Sequence, residues 1–139
     1  MRIFLDANIL FSAAKTNGAI RQLLRLIAER GHQAWVDEFV LAEARRNLAL
    51  KDTSKLQAFE EIVPTLHVSP HPSVARASAE FDWLPEKDRP VLAAAIRARC
   101  EVLLTGDRTH FGIGFGKTYG GVTIRSPRLL AEVLLDLKS

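Results

Sequence analysis

Two short apolar runs, RIFLD at residues 2–6 and EVLLTGD at residues 101–107, each end in an aspartate, and stretches with helical spacing lie between them. Continuous apolar runs of this length are strands buried on both faces, and strands alternating with helices mean a parallel sheet covered on both sides by right-handed crossovers. In such a sheet the C-terminal strand ends share one edge, so acids placed there converge although the sequence separates them. Like charges brought close raise one another's pKa and destabilise the fold unless a hard divalent cation neutralises them. Convergent acids therefore point to a cation site.

The rest of the chain fits this alternation. Residues 18–30 read as an amphipathic helix, with Ile20, Leu23, Leu24 and Ile27 at helical spacing and Gly31 at its end. HQAWVD is strand-like, and residues 38–50 and 53–62 read as two further helices, the second stopping before Pro64. LHVSP is a short strand and residues 72–81 a short helix. Asp88 and Pro90 look like a helix start, with the Asp88 side chain as cap, and VLAAAIRARC continues it. GIGFGKTYGG reads as a loop, VTI as the last strand, and Ser126-Pro127 as the start of a closing helix.

Four acids are the candidate site residues. Asp6 follows the first strand, with Asn8 two residues on to orient it; an Asx turn is the plain alternative. Asp107 follows the later strand beside Thr105, and Gly106 would let the backbone turn tightly there. Asp88 could cap its helix and still offer an oxygen to the site, with Glu86 as the nearest substitute. Glu43 sits among apolar neighbours and shares a helix face with Asn47, whereas Asp37 and Glu38 are nearby acids of no assigned role. Two apparent motifs fail. GFGKT lacks the first glycine of a P-loop, because Phe111 stands there, and no helix follows. His67 and His71 are four apart, but Pro70 and Pro72 prevent the helix that would pair them on zinc.

At 139 residues and 47% hydrophobic, the chain is long enough for one core and too short for two ordinary domains, so residues 1–139 read as a single domain. No apolar run approaches the length of a spanning helix, Met1 leads directly into the first strand, and Cys100 is the lone cysteine; a cytoplasmic protein is expected. The 19 basic residues outnumber 16 acidic ones, and four of those acids are assigned to one place, so the remaining body is more basic than the net +3. An anionic notch on a basic body suits a polyanionic substrate steered towards metal.

Taken in order, LDANIL, LAEARRNL, EKDRPVLAAAI and LLTGD resemble the signature of PIN domain nucleases, especially the small VapC-type toxins, over the whole chain. That resemblance implies a three-layer α/β/α sandwich with a parallel sheet ordered 3-2-1-4-5. It also implies metal-dependent cleavage of RNA, with Asp6, Glu43, Asp88 and Asp107 holding Mg²⁺ or Mn²⁺ and Asn8 and Thr105 supporting them. Arg45, Arg46, Arg89 and Arg108 lie near the acids in sequence and are candidates to hold flanking phosphates. A toxin role implies an antitoxin partner and a homodimer. Residues 53–85 and the long Gly-rich segment after Phe111 depart from the pattern. Two other classes compete: a non-catalytic RNA- or protein-binding module with a degenerate site, and a Mg²⁺-dependent receiver-like phosphoryl-transfer domain. The latter would want paired acids near the first strand and a late lysine, where this chain has one acid in LDANI and Arg125 in VTIRS.

Overall fold

A computed structural model describes residues 1–70 and 79–135. Its strands are β1 (Arg2–Leu5), β2 (Gln33–Val36), β3 (His67–Val68), β4 (Val102–Leu104), β5 (Thr118–Tyr119) and β6 (Val122–Arg125), in the order β3-β2-β1-β4-β6-β5. Every pairing is parallel except β5 with β6. The expected five-strand order is present, with VTI in the fifth place beside β4. A sixth, two-residue strand extends the edge from the segment read as a loop. Gly120 and Gly121 between β5 and β6 have φ of 56° and 85°, the left-handed conformation that a two-residue hairpin turn requires at both positions.

The helices are α1 (Ala7–Lys15), α2 (Ala19–Glu29), α3 (Glu38–Lys51), α4 (Leu56–Ile62), α5 (Arg89–Arg97), α6 (Arg108–Phe111) and α7 (Pro127–Leu134). Helices α1 to α4 pack on one another and α7 joins α2, while α5 lies against β4 and β6. Right-handed crossovers running outwards in both directions from β1 place these two groups on opposite faces of the sheet. Ile3, Phe4, Leu5, Val36, Leu103, Leu104 and Ile124 are fully buried between them. That burial is why β1 and β4 are apolar at successive positions rather than alternating.

Helix α1 is the main element not expected from the sequence: the residues after β1 go directly into a helix rather than a turn. Its apolar positions Ile9, Leu10, Ala13 and Ala14 are buried at helical spacing. Helix α4 ends at Ile62 as expected, and a 3₁₀ turn, Val63–Thr65, carries the chain through Pro64. Cys100 is buried between α5 and β4, as a small apolar residue should be. The expected helix over residues 72–81 lies mostly outside the described residues; its end, Ala79–Phe81, is a 3₁₀ turn. His71 is also outside them, and His67 stacks on Trp35 with ring centroids 5.2 Å apart. No helix among the described residues is long and apolar enough to cross a membrane.

Candidate active site

The strand order reverses direction between β1 and β4, and the crevice at their C-terminal ends is where open α/β sheets bind ligands. Leu5 pairs with Leu104, and the next residue, Asp6, donates its amide to the Leu104 carbonyl at 3.0 Å. Asp6 and Thr105 therefore leave the sheet side by side. The Thr105 hydroxyl donates to Asp6 Oδ2 at 2.8 Å, and Asn8 Nδ2 donates to the same oxygen at 3.0 Å. Asp6 Oδ1 accepts from the Ala7 amide at 2.8 Å, so the carboxylate also caps α1. Asp6 thus caps a helix rather than forming the free-standing Asx turn that is the plain alternative, and it lines the crevice.

Asn8 joins the two halves of the crevice. Its Nδ2 also reaches Thr105 Oγ1 at 3.2 Å, and its Oδ1 accepts from the Gly106 amide at 2.9 Å. Gly106 does not adopt a positive φ; what it gives is that amide, with Asn8 Oδ1 3.4 Å from where a Cβ would stand. Thr105 Oγ1 in turn accepts from the Asp107 amide at 3.2 Å. Asp107 caps α6, its Oδ1 accepting from the His110 amide at 3.0 Å.

Asp88 and Glu43 arrive from helices. Asp88 ends a 3₁₀ turn, Glu86–Asp88, that leads into α5 in helical conformation, so its side chain makes no cap hydrogen bond. The expected capping role fails for that reason: a residue already in the helical region cannot fold its carboxylate back onto the first turn. The carboxylate is turned instead to His110, whose Nδ1 lies 3.1 Å from Asp88 Oδ2. Glu43 stands on α3 one turn before Asn47, and both line the crevice, as does Lys51 a further turn on. Asp37 caps α3 through the Val40 amide and is not among the lining residues.

Asp6, Glu43, Asp88 and Asp107 thus line one cavity of about 460 Å³, together with Asn8, Asn47 and His110. Burial raises the Asp6 carboxyl from its ordinary value near 3.8 to about 6 against the opposing hydrogen bonds of Thr105 and Ala7, and the charges of Glu43 and Asp88 add to the rise. Burial raises the Asp88 carboxyl as well, with the His110 and Lys87 charges opposing it. Asp88 Oδ2 is buried and makes no hydrogen bond among the described residues. A buried carboxylate oxygen with the His110 ring beside it but no hydrogen bond, in a crevice lined by other acids, fits an oxygen-preferring divalent cation. Thr105 is buried against these carboxylates and does not face the cavity itself.

The cations at this cavity are Lys51 and Lys87. None of the four arginines lines it. Arg45 pairs with Glu60 at 2.8 Å, Arg46 is exposed, and Arg89 donates to the Leu84 carbonyl at 2.9 Å. Arg108 faces a neighbouring cavity with Arg128. Nearness in sequence misleads here because consecutive helix residues point in different directions. His110 was missed altogether. Its signal was the D-x-x-H spacing after Asp107, which brings a side chain back to its cap only if that stretch is helical.

A mostly parallel α/β sheet with four acids lining one crevice at its switch point defines an α/β protein with an acidic cleft able to hold a divalent cation. The PIN domain family matches residues 2–109, and the chain belongs to that family, a family of nucleases. In fold the chain is similar to a solved structure, that of VapBC2 from Rickettsia felis bound to a DNA fragment from their promoter. The TM-score is 0.65 at 17% sequence identity, covering 91% of this chain and 98% of the other. No curated protein matches the sequence.

Proposed function

We propose that this PIN domain is a Mg²⁺- or Mn²⁺-dependent endoribonuclease, the toxin of a toxin–antitoxin pair. The observation that carries the reading is the meeting of Asp6, Glu43, Asp88 and Asp107 on one cavity, with Asp88 Oδ2 buried and without a hydrogen bond among the described residues. A divalent ion held there would supply Lewis acidity, acidifying water for attack on a phosphodiester and offsetting charge on the leaving oxygen. Asp6, Asp88 and Asp107, with Glu43 from helix α3, would hold the ion directly or through water, Asp6 being the most deeply buried of the four. Asn8 and Thr105 fix the Asp6 carboxylate and leave it no freedom to turn away. Lys51 and Lys87, the lysines that line the cavity, are the candidates to hold phosphates flanking the scissile bond, in place of the four arginines. No protein nucleophile is required.

The VapBC2 structure is of a complex, and that supports an antitoxin partner for this chain. A homodimer, a single domain over residues 1–139 and a cytoplasmic location belong to the same reading. The test is incubation of the purified protein with assorted RNAs in Mn²⁺, Mg²⁺ or EDTA, beside Asp6→Asn and Asp107→Asn. Cleavage that needs the ion and is absent from both variants is expected. Full activity in either variant, or cleavage undiminished by EDTA, would remove the mechanism. Expression with and without the gene product encoded beside it tests the toxin role, with growth arrest relieved by the partner as the expected result.

A further inference from the structure

We infer that the His110 imidazole is itself a ligand in this cation site, which makes the site selective for Mn²⁺ over Mg²⁺. The inference rests on the metal-dependent reading above and goes beyond it, because an all-carboxylate site needs no nitrogen. Among the described residues, Asp88, Asp107 and His110 form the group whose potential ligand atoms all lie within 4.8 Å of one another. The closest approaches are tighter: Nδ1 of His110 is 2.8 Å from Asp107 Oδ2 and 3.1 Å from Asp88 Oδ2. Adjacent ligands on an octahedral ion with bonds of about 2.1 Å stand about 3.0 Å apart, so these spacings already match neighbouring vertices of a coordination sphere.

The ring is held in place by the backbone. His110 donates its amide to Asp107 Oδ1 at 3.0 Å, and the next residue, Phe111, is fully buried with its ring edge-on to Trp83. Helix α6 is thereby anchored at both ends, and its third residue can only face the acids. Coordination through Nδ1 leaves the ring proton on Nε2, and the side chain as a whole is partly exposed. Mg²⁺ is a hard ion that keeps oxygen ligands and water, whereas affinity for nitrogen rises along the transition series from Mn²⁺ onwards. One imidazole among carboxylates therefore separates the two ions.

Pulsed EPR of Mn²⁺ bound to the full chain, using manganese chloride as probe, reads the ligand directly. A hyperfine coupling from directly bound ¹⁴N is expected in the wild type and absent from His110→Gln. Calorimetric titration with manganese and magnesium chloride should give an Mn²⁺/Mg²⁺ affinity ratio that falls about tenfold or more in the variant, in the range that loss of a supporting group at a metal site produces. Mn²⁺ binding with no nitrogen coupling in the wild type would overturn the inference and leave the carboxylate site standing: His110 would then be a counter-ion that the metal displaces. Failure of the wild type to bind either ion would overturn both this inference and the nuclease reading. The wild-type spectrum decides the question even if the variant folds poorly.

Discussion

Replacing Asp6 by asparagine should stabilise the metal-free protein at alkaline pH and destabilise it at acid pH. Asp6 is 7% exposed and its carboxyl is raised from near 3.8 to about 6, chiefly by burial. One pKa unit corresponds to about 1.4 kcal/mol, so keeping Asp6 ionised costs the metal-free fold about 3 kcal/mol. The folded protein holds a proton that the unfolded chain has released, so stability is greatest below about pH 4, falls as pH rises to about 6, and is level beyond. Asparagine keeps the shape and does not titrate. It must, however, present an NH₂ to two donors, the Thr105 hydroxyl and Asn8 Nδ2, which costs about 1–2 kcal/mol in hydrogen bonds. The net expectation is a gain of about 1–2 kcal/mol at pH 8 in EDTA, roughly 5 °C in melting temperature for a chain of this size. At pH 4 the gain disappears and the variant is the weaker protein by about 1 kcal/mol. Urea unfolding at the two pH values in EDTA measures both numbers. A variant that differs from the wild type by the same amount at both would refute the burial argument for Asp6. Adding Mn²⁺ at pH 8 should reverse the order, since an ion that binds only the folded wild type stabilises it in proportion to the logarithm of its concentration.

Lys51→Ala and Lys87→Ala should each weaken RNA binding uniformly across sequences and lower the salt slope by about 1, whereas Arg45→Ala, already paired to Glu60, should leave the slope unchanged. Filter binding of catalytically inert protein at several salt concentrations checks both, and equal effects from all three would argue against the cavity as the RNA path. Gly114→Ala should destabilise the fold by about 1–3 kcal/mol, because a Cβ there would stand 2.6 Å from the Trp83 ring, itself stacked on Tyr119; thermal unfolding followed by tryptophan fluorescence measures it. Leu103→Ala, in the fully buried centre of β4, should cost about 2–5 kcal/mol and be read by urea unfolding.

The parts of this fold that sequence could reveal are those with one dominant signal. Ile3 to Leu5 of β1 and the whole of β4 are apolar because both faces are covered, and their shared edge makes Asp6 and Asp107 candidates from the sequence alone. Helix α3 gave Glu43 and Asn47 a common face by spacing alone. Helix α1 was hidden because Asp6-Ala-Asn8 carries turn chemistry and cap chemistry in the same residues, and only the burial of Ile9 and Leu10 decides between them. Asp88 was chosen for the site on the same composition that suggested a cap. Its conformation settles against the cap because the 3₁₀ turn before it already supplies the helical φ and ψ. The segment after Asp107 was opaque for a different reason. Its glycines mask a short helix and a hairpin whose order comes from Phe111, Trp83 and Tyr119 packing together, a contact between residues far apart in the chain. His110 is hidden with it, and Lys51 and Lys87, on other elements, are hidden for a like reason, since each is defined by the cavity it faces rather than by its neighbours in sequence.

The Asn8 clamp has a consequence for synthesis. It ties residue 8 to residues 105 and 106, and β1, made first, lies between β2 and β4, made last but two. While the chain is still emerging from the ribosome, Asp6 has neither its Thr105 donor nor its neighbour Asp107, and the crevice lacks one wall. The crevice is therefore incomplete until translation has passed β4, and a fragment broken off before that point carries Asp6, Glu43 and Asp88 without the wall that bears Thr105, Asp107 and His110.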